Sequence, residues 1–152
     1  MSAPYTGYAN GKLLITGEYL VIYGALSFAV PLKVGQGIQL RRGDEAGVLA
    51  WKASDPSGIW FTARLSMNQL EILSASDDIV AGRLSHLLKA ARKLNPVFLT
   101  GEAGIEVQTV LDFDRHWGLG SSSTLIALVA RMTGVDAFSL YRAVADGSGY
   151  DV

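Results

Sequence analysis

Residues 117–124 read WGLGSSST, a segment here called the Gly/Ser turn. It joins a predicted strand over residues 105–113 to an apolar segment that we expect to be helical from Ser121 onward. Gly118 and Gly120 allow a tight turn, and the serines follow where a helix leaves its first N–H groups unpaired. The segment therefore suits a phosphate bound by backbone amides and the helix dipole, or an ordinary turn with a serine N-cap. Both interpretations stay open on this segment alone.

The composition is that of one globular domain. The chain has 152 residues, of which 49% are hydrophobic and 18% charged, and its formal net charge is -1. A net charge this close to zero gives no positive electrostatic potential to attract phosphates, so we expect neither nucleic acid nor a membrane as a partner. Cysteine is absent, which excludes disulfides, and the amino-terminal residues lack the blocks of a signal peptide. We expect a soluble, cytoplasmic protein.

The first half of the chain has the pattern of a largely antiparallel sheet. β-Branched and aromatic residues form short runs, which glycines and polar turns separate. Because aromatic residues in strands usually pack in the core, we predict that role for Trp51, Trp60 and Phe61. The predicted strands cover residues 12–16, 19–23, 29–40, 48–53 and 59–65.

The second half of the chain has helical spacing. An amphipathic helix is predicted over residues 78–94, with basic side chains such as Arg92 on its solvated side. Residues 124–132 are apolar almost all round, which predicts a helix buried in the core, and a short helix is predicted over residues 137–145. The predicted caps and stops are Ser76 or Asp77, Asn95-Pro96, Gly134 and Asp136.

Three segments carry residue types that suit one phosphate site. Gly11-Lys12 comes first, the Gly/Ser turn second, and a further Gly/Ser turn that includes Asp151 last. A phosphate site needs a cation, and phosphoryl transfer needs a group that accepts a proton. Lys12 and Asp151 belong to these types. Taken singly, however, a lysine before a strand is usually solvated and a terminal aspartate is usually a turn residue.

The common motifs for phosphate, metal and acyl chemistry do not match. No GK[ST] follows the glycines, and Ser123 stands where a dinucleotide-binding fingerprint requires its third glycine. His86 and His116 are the only histidines and lie far apart, so metal-ligand spacing is absent. A GxSxG elbow does not occur around the serines either.

Three motifs in this order resemble the GHMP kinases, which include galactokinase, homoserine kinase, mevalonate kinase and phosphomevalonate kinase. They are ANGKLLITGEYLVIYGALSFAVPL at residues 9–32, WGLGSSST at 117–124 and GSGYDV at 147–152. The last of them is similar to the subgroup named for its GYDIA motif. The resemblance implies an ATP-dependent small-molecule kinase that uses Mg²⁺. Such an enzyme would transfer the γ-phosphoryl group to an alcohol or phosphate of a metabolite that is mevalonate- or phosphomevalonate-like.

The resemblance also implies the fold and the domain organisation. The family fold is α+β and similar to ribosomal protein S5 domain 2, with a mostly antiparallel sheet packed with helices and a left-handed βαβ crossover. Residues 1–152 would be the amino-terminal ATP-binding domain, and the family's carboxy-terminal domain would be absent. We therefore predict a truncated chain with little kinase activity alone, whose exposed apolar surface could lead to a homo-oligomer.

The site residues are carried over by position. Lys12 matches the lysine near the transferred phosphate, and Asp151 matches the carboxylate that orients or deprotonates the acceptor hydroxyl. Glu18 and Tyr19 match an element near the substrate pocket. The cofactor-binding positions, with Ser122 as the magnesium ligand, are Gly118, Leu119, Gly120, Ser121, Ser122 and Ser123.

Two departures from the family pattern motivate an alternative. Arg115, His116 and Trp117 lead into the glycines where the family has proline and small residues. In addition, no glutamate occurs between Ser121 and Asp151 to supply a second magnesium ligand. The alternative is a nucleotide-binding or degenerate GHMP module without turnover. A third hypothesis, an RNA-binding domain similar to that of ribosomal protein S5, is disfavoured by the net charge of -1.

Overall fold

The computed structural model describes residues 4–17 and 23–145, which form one sheet with helices packed on it. The strands are β1 (Tyr5–Thr16), β2 (Phe28–Arg42), β3 (Val48–Asp55), β4 (Gly58–Ser66), β5 (Ile72–Ala75) and β6 (Ile105–Leu111). The α-helices are α1 (Asp78–Leu94), α2 (Ser121–Thr133) and α3 (Ala137–Val144), and a 3₁₀ turn over Arg115–Trp117 precedes α2. In the described ranges, none of the helices is long and apolar enough to cross a membrane.

The strand order in the sheet is β1-β2-β6-β3-β4-β5. Every neighbouring pair is antiparallel except β3 and β6, which run parallel in the middle of the sheet. Parallel neighbours need a crossover connection, and β4, β5 and α1 supply it here. The predicted mostly antiparallel α+β fold is confirmed, whereas the left hand of the crossover stays a prediction.

Alternating side chains divide the sheet into a buried face and an open face. Along β3, Leu49, Trp51 and Ala53 are buried, while Lys52 between them is exposed. The buried face of the sheet and the inner faces of the helices share one hydrophobic core. Trp51 and Phe61 lie in that core and Trp60 packs against it, so their predicted packing role is confirmed.

The helix boundaries follow the predicted capping residues. The Asp77 side chain caps α1 by accepting hydrogen bonds from the amides of Ile79 and Val80, at 2.9 and 3.0 Å. Gly134, with a φ of 69°, ends α2, and Asp136 caps α3. The sequence predicts these caps because each cap forms hydrogen bonds to residues close to it in the chain.

The strand prediction needs two corrections, and a third predicted strand is described only at its last residue. β1 begins at Tyr5 rather than at residue 12, because pairing with β2 continues to Tyr5 opposite Leu40 despite glycines in that segment. The short strand β5 was not predicted. Residues 19–22 of the strand predicted over 19–23 lie outside the described residues, and Tyr23 is not in a strand.

The predicted solvated position of Arg92 is wrong. Its guanidinium donates four hydrogen bonds of 2.6–3.1 Å, which end on the carbonyl oxygens of Met67, Asn68, Phe98 and Leu99. The long side chain reaches two turns that pack beside the end of α1, and burial lowers the pKa of Arg92. Leu99 is buried and has a positive φ of 54°, a backbone conformation that leucine rarely adopts. The Arg92 side chain therefore stabilises an unfavourable turn.

We expect Arg92→Met to lower the free energy of unfolding by roughly 2–4 kcal/mol, because several buried carbonyls lose a charged donor. Urea unfolding measures this loss. The matched control is Lys89→Met, an exposed cation on the same helix, which should change stability by less than about 0.5 kcal/mol. Equal effects of the two substitutions would contradict the structural role of Arg92.

Candidate functional site

The Gly/Ser turn begins with a tight bend after β6. The Asp114 side chain accepts a hydrogen bond from the His116 amide at 2.8 Å, and the Asp114 carbonyl accepts one from the Trp117 amide at 3.0 Å. Gly118 and Gly120 then adopt φ values of 70° and 86°, and α2 begins at once. These left-handed conformations favour glycine, and they direct the chain that leaves β6 into a helix N-terminus.

The structure brings Lys12 to the Gly/Ser turn. The Lys12 amide donates a hydrogen bond to the carbonyl of Leu119 at 3.0 Å. A Cβ atom placed on Gly120 would lie 3.1 Å from both Cγ and Cε of Lys12, so the lysine stem crosses directly over that glycine. Gly11 is equally confined, since a Cβ there would lie 3.0 Å from the Leu119 carbonyl. The first and second sequence motifs are therefore in direct contact.

The three serines of the turn differ in exposure. Ser122 is exposed, Ser121 is half-buried and Ser123 is buried. The N-cap of α2 is Gly120, so no side chain caps this helix N-terminus. Ser122 is consequently the most exposed of the three serines, while Ser123 lies in the interior of the domain.

A buried polar pair supports the first turn of α2. The hydroxyl of Thr124 lies 2.8 Å from the side-chain oxygen of Gln36 and 2.9 Å from the carbonyl of Ser121. Gln36 and Thr124 are both buried, and Gln36 comes from β2. The sequence analysis missed Gln36, although a glutamine on the buried face of an apolar strand was a signal that could have revealed it.

The segment before the glycines is anchored to the β3–β4 hairpin. Nη1 of Arg115 lies 2.6 Å from Oδ2 of Asp55, whose side chain is fully buried. The other oxygen of Asp55 accepts a hydrogen bond from the Ser57 amide at 2.8 Å. Burial by itself raises the pKa of Asp55, but the hydrogen bonds from Arg115 and Ser57 and the positive charge of Arg115 outweigh it and lower that pKa. By itself, the sequence Asp55-Pro56-Ser57-Gly58 predicts only a polar turn.

Side-chain bonds also connect β1 to its neighbours on the sheet and to α2. The Tyr8 hydroxyl lies 2.5 Å from a carboxylate oxygen of Asp112, just after β6, and Arg131 of α2 donates to the Tyr8 carbonyl at 2.9 Å. Burial, this hydrogen bond and the charge of Asp112 raise the pKa of Tyr8 to about 12. The strand that carries Lys12 is thus tied to both elements that flank the Gly/Ser turn.

Three predicted site residues, Glu18, Tyr19 and Asp151, lie outside the described residues. Their roles stay predictions. Within residues 4–17 and 23–145, no group of three or more histidine, aspartate or glutamate side chains is placed to hold a metal ion. The residues that the structure does bring together are Lys12 and the predicted loop, Gly118, Leu119, Gly120, Ser121, Ser122 and Ser123.

Comparison with known proteins identifies the fold. No family model and no curated protein sequence match this chain. Galactokinase from Lactococcus lactis, solved with galactose, is similar with a TM-score of 0.63 and 14% identity over 92% of the chain. Mevalonate kinase from Methanococcus jannaschii is similar with a TM-score of 0.67 and 12% identity over 98% of the chain. A further mevalonate kinase structure gives a TM-score of 0.63, also at 12% identity, over 97% of the chain.

These likenesses show that the chain has the fold of a domain found in GHMP kinases. The match covers 36% of the galactokinase and 50% and 49% of the two mevalonate kinases. The chain therefore spans half or less of the length of the structures it resembles. At this level of identity the likeness defines the architecture, and the chemistry has to be argued from the residues at the Gly/Ser turn.

We predict that Asp55→Asn lowers stability at pH 7 and that this deficit disappears in acid. The folded-state pKa of Asp55 is depressed, so its contribution is present above the ordinary value of 3.8 and is lost as pH falls through the lower folded value. Urea unfolding from pH 7 down to about pH 2 measures the difference. The control is Asp44→Asn, at an exposed turn position, which should show no such convergence. A deficit that persists unchanged in acid would contradict the prediction.

A comparison of two glycine substitutions tests the contact between Lys12 and the turn. Gly118→Ala and Gly120→Ala should each cost about 1–2 kcal/mol of stability, because both residues are left-handed. At Gly118 a Cβ meets nothing within 4 Å, whereas at Gly120 it meets the Lys12 side chain. Only Gly120→Ala should therefore shift the NMR signals of the Lys12 methylene groups. Equal shifts in both variants would show that the lysine does not cross over Gly120.

Proposed function

We propose that this chain is the nucleotide-binding part of an ATP-dependent small-molecule kinase of the GHMP type. The observation that carries the proposal is the contact between Lys12 and the Gly/Ser turn. It combines a cation, two left-handed glycines and an uncapped helix N-terminus at one point on the surface. Each of these three features stabilises an anion, and a chain of phosphates is the ligand that would use all of them.

The residues of the turn suit both ATP and magnesium. Backbone amides at the start of α2 would bind phosphate oxygens, and the Lys12 side chain would offset their charge. The exposed hydroxyl of Ser122 is the hard oxygen donor that Mg²⁺ prefers, and an ion that keeps several waters needs few protein ligands. Bound there, magnesium would supply positive charge beside the phosphates.

The proposed reaction is in-line phosphoryl transfer. An alcohol or phosphate oxygen of the acceptor forms a bond to the γ-phosphorus, while the bond from that phosphorus to the bridging oxygen breaks and ADP leaves. We assign to Asp151 the task of orienting or deprotonating the acceptor, and to Glu18 and Tyr19 a position near it, on the motif resemblance. Lys12 and the turn would act by positioning the phosphates and neutralising charge.

The acceptor we propose is a small metabolite similar to mevalonate or phosphomevalonate. Two of the structural neighbours are mevalonate kinases, and the GSGYDV motif supports the same choice. We also propose a cytoplasmic location, the compartment that the absence of cysteine favours. Nucleic acid and membrane are not proposed as partners, and self-association through exposed apolar side chains is proposed as a property of the isolated chain.

We expect Ser122→Ala to weaken Mg-ATP binding at least several-fold, because the variant loses the proposed magnesium ligand but leaves the backbone unchanged. Titration calorimetry on the full natural protein measures the dissociation constant. The control is Ser74→Ala, an exposed serine on the distant strand β5, which should bind as the parent protein does. Identical calorimetric titrations for all three proteins would reject Ser122 as the ligand.

The kinase activity itself requires a separate assay. The full natural protein should transfer phosphate from Mg-ATP to one member of a panel of isoprenoid and sugar alcohols. Binding of Mg-ATP without transfer to any acceptor would favour the nucleotide-binding module without turnover. The isolated chain should show little transfer, because it spans half or less of the kinases it resembles. Robust turnover by the isolated chain would contradict that expectation.

A further inference from the structure

The Gly/Ser turn is attached to the rest of the domain on both sides. On the far side, the Leu119 carbonyl is held by the amide of Lys12 at 3.0 Å. On the near side, the attachment is the ion pair between Arg115 and Asp55, with a separation of 2.6 Å. Arg115 belongs to the 3₁₀ turn that ends at Trp117, directly before Gly118. The amides at the start of α2, which would meet a phosphate, follow these two attachments directly in the chain.

The ion pair between Arg115 and Asp55 has a well-defined geometry. The Asp55 side chain is fully buried and accepts hydrogen bonds from Arg115 and from the Ser57 amide, so its position is determined by the β3–β4 hairpin. The Arg115 guanidinium also lies over the ring of Trp60, 5.2 Å from its centroid. A planar cation that pairs with a carboxylate and stacks on an aromatic ring has little freedom to move. Removing either charge would leave the other partly or fully buried without its partner.

The guanidinium of Arg115 points toward the hairpin, where the Asp55 carboxylate holds it. Its influence on the turn must therefore pass through the backbone. Asp114 accepts hydrogen bonds from the amides of His116 and Trp117, through its side chain and its carbonyl respectively. These bonds make the 3₁₀ turn a short rigid segment. A shift of Arg115 would consequently move Gly118 and the amides after it.

We propose that Arg115, held by Asp55, is a positioning residue for the anion site of the Gly/Ser turn. The proposal rests on the proposed function above, and it goes further by assigning the β3–β4 hairpin a role in nucleotide affinity. Arg115 sets the direction in which the amides at the start of α2 point, and it does so without touching the nucleotide.

The test measures Mg-ATP binding by calorimetry in the full natural protein and in Arg115→Met, Asp55→Asn and the double variant. We expect each single substitution to weaken binding about tenfold, because small displacements of positioning groups are costly. The double variant should be no weaker than the single ones, since both substitutions remove the same link. A direct contact between Arg115 and phosphate predicts the opposite for Asp55→Asn, because the freed cation would bind as well or better. That result would overturn the proposal.

A control separates positioning from loss of stability. Arg92→Met also removes a bonded arginine, but two of its partners, Met67 and Asn68, directly follow the end of β4 at Ser66. Asp55 instead pairs with Gly58, at the other end of the β3–β4 ladder. We expect Arg92→Met to lower stability and to leave the dissociation constant for Mg-ATP within about twofold of the parent value. Weakening by Arg92→Met as large as that by Arg115→Met would show a general stability effect and overturn the proposal.

A second measurement needs no nucleotide. The amides of Lys12, Trp117 and Thr124 are hydrogen-bonded to or within the turn and report its local opening by hydrogen exchange. In Arg115→Met and Asp55→Asn, their exchange should accelerate about tenfold more than that of Val107 in β6, and in Arg92→Met it should not. If the parent protein fails to bind Mg-ATP, the proposed function fails while this measurement still tests the link. If exchange at the three amides, relative to Val107, is unchanged in Arg115→Met and Asp55→Asn, the proposal is overturned.

Discussion

The hydrogen bond from the Lys12 amide to the Leu119 carbonyl is the contact on which the candidate site depends. It joins an edge strand to the turn before α2, and glycines stand on both sides of it. Gly11 is required because a Cβ there would meet the Leu119 carbonyl, and Gly120 is required because its left-handed φ brings it beneath the lysine stem. Gly11 thus allows a close approach of backbone to backbone, and Gly120 allows the Lys12 side chain to cross the turn.

Polar pairs stabilise the surroundings of this contact beside the ends of β6, where Leu111 lies opposite Gln36, and of β3, which ends at Asp55. Gln36 with Thr124 supports the first turn of α2, and Asp55 with Arg115 holds the segment before the glycines. Strand ends are the places where the ladder stops satisfying backbone groups and where loops leave the sheet, so side chains must supply the remaining bonds. The result is a turn whose backbone conformation is determined from several directions before any ligand binds, as an anion site built from amides requires.

Local features were predicted from the sequence with success, and long-range ones only in part. Asp77, Gly134 and Asp136 were identified as caps because their hydrogen bonds reach only a few residues along the chain. Arg92 was misplaced because two of its partners, the carbonyls of Met67 and Asn68, belong to a turn distant in sequence. The role of Asp55 was invisible for the same reason, since an aspartate before proline is typical of a turn whether or not an arginine elsewhere pairs with it.

By itself, the sequence determined the alternation of strands and helices, the positions of the caps and the chemical types at the candidate site, because periodicity and local hydrogen bonding are properties of neighbouring residues. It also supplied three motifs whose order resembles a kinase superfamily. Only the tertiary structure decided that Lys12 lies over Gly120, that Ser122 is the exposed serine and that Arg115 is turned toward Asp55. Those facts depend on the register of β1 with β2 and on the parallel pairing of β3 with β6, and strand pairing is a long-range choice that no local pattern specifies.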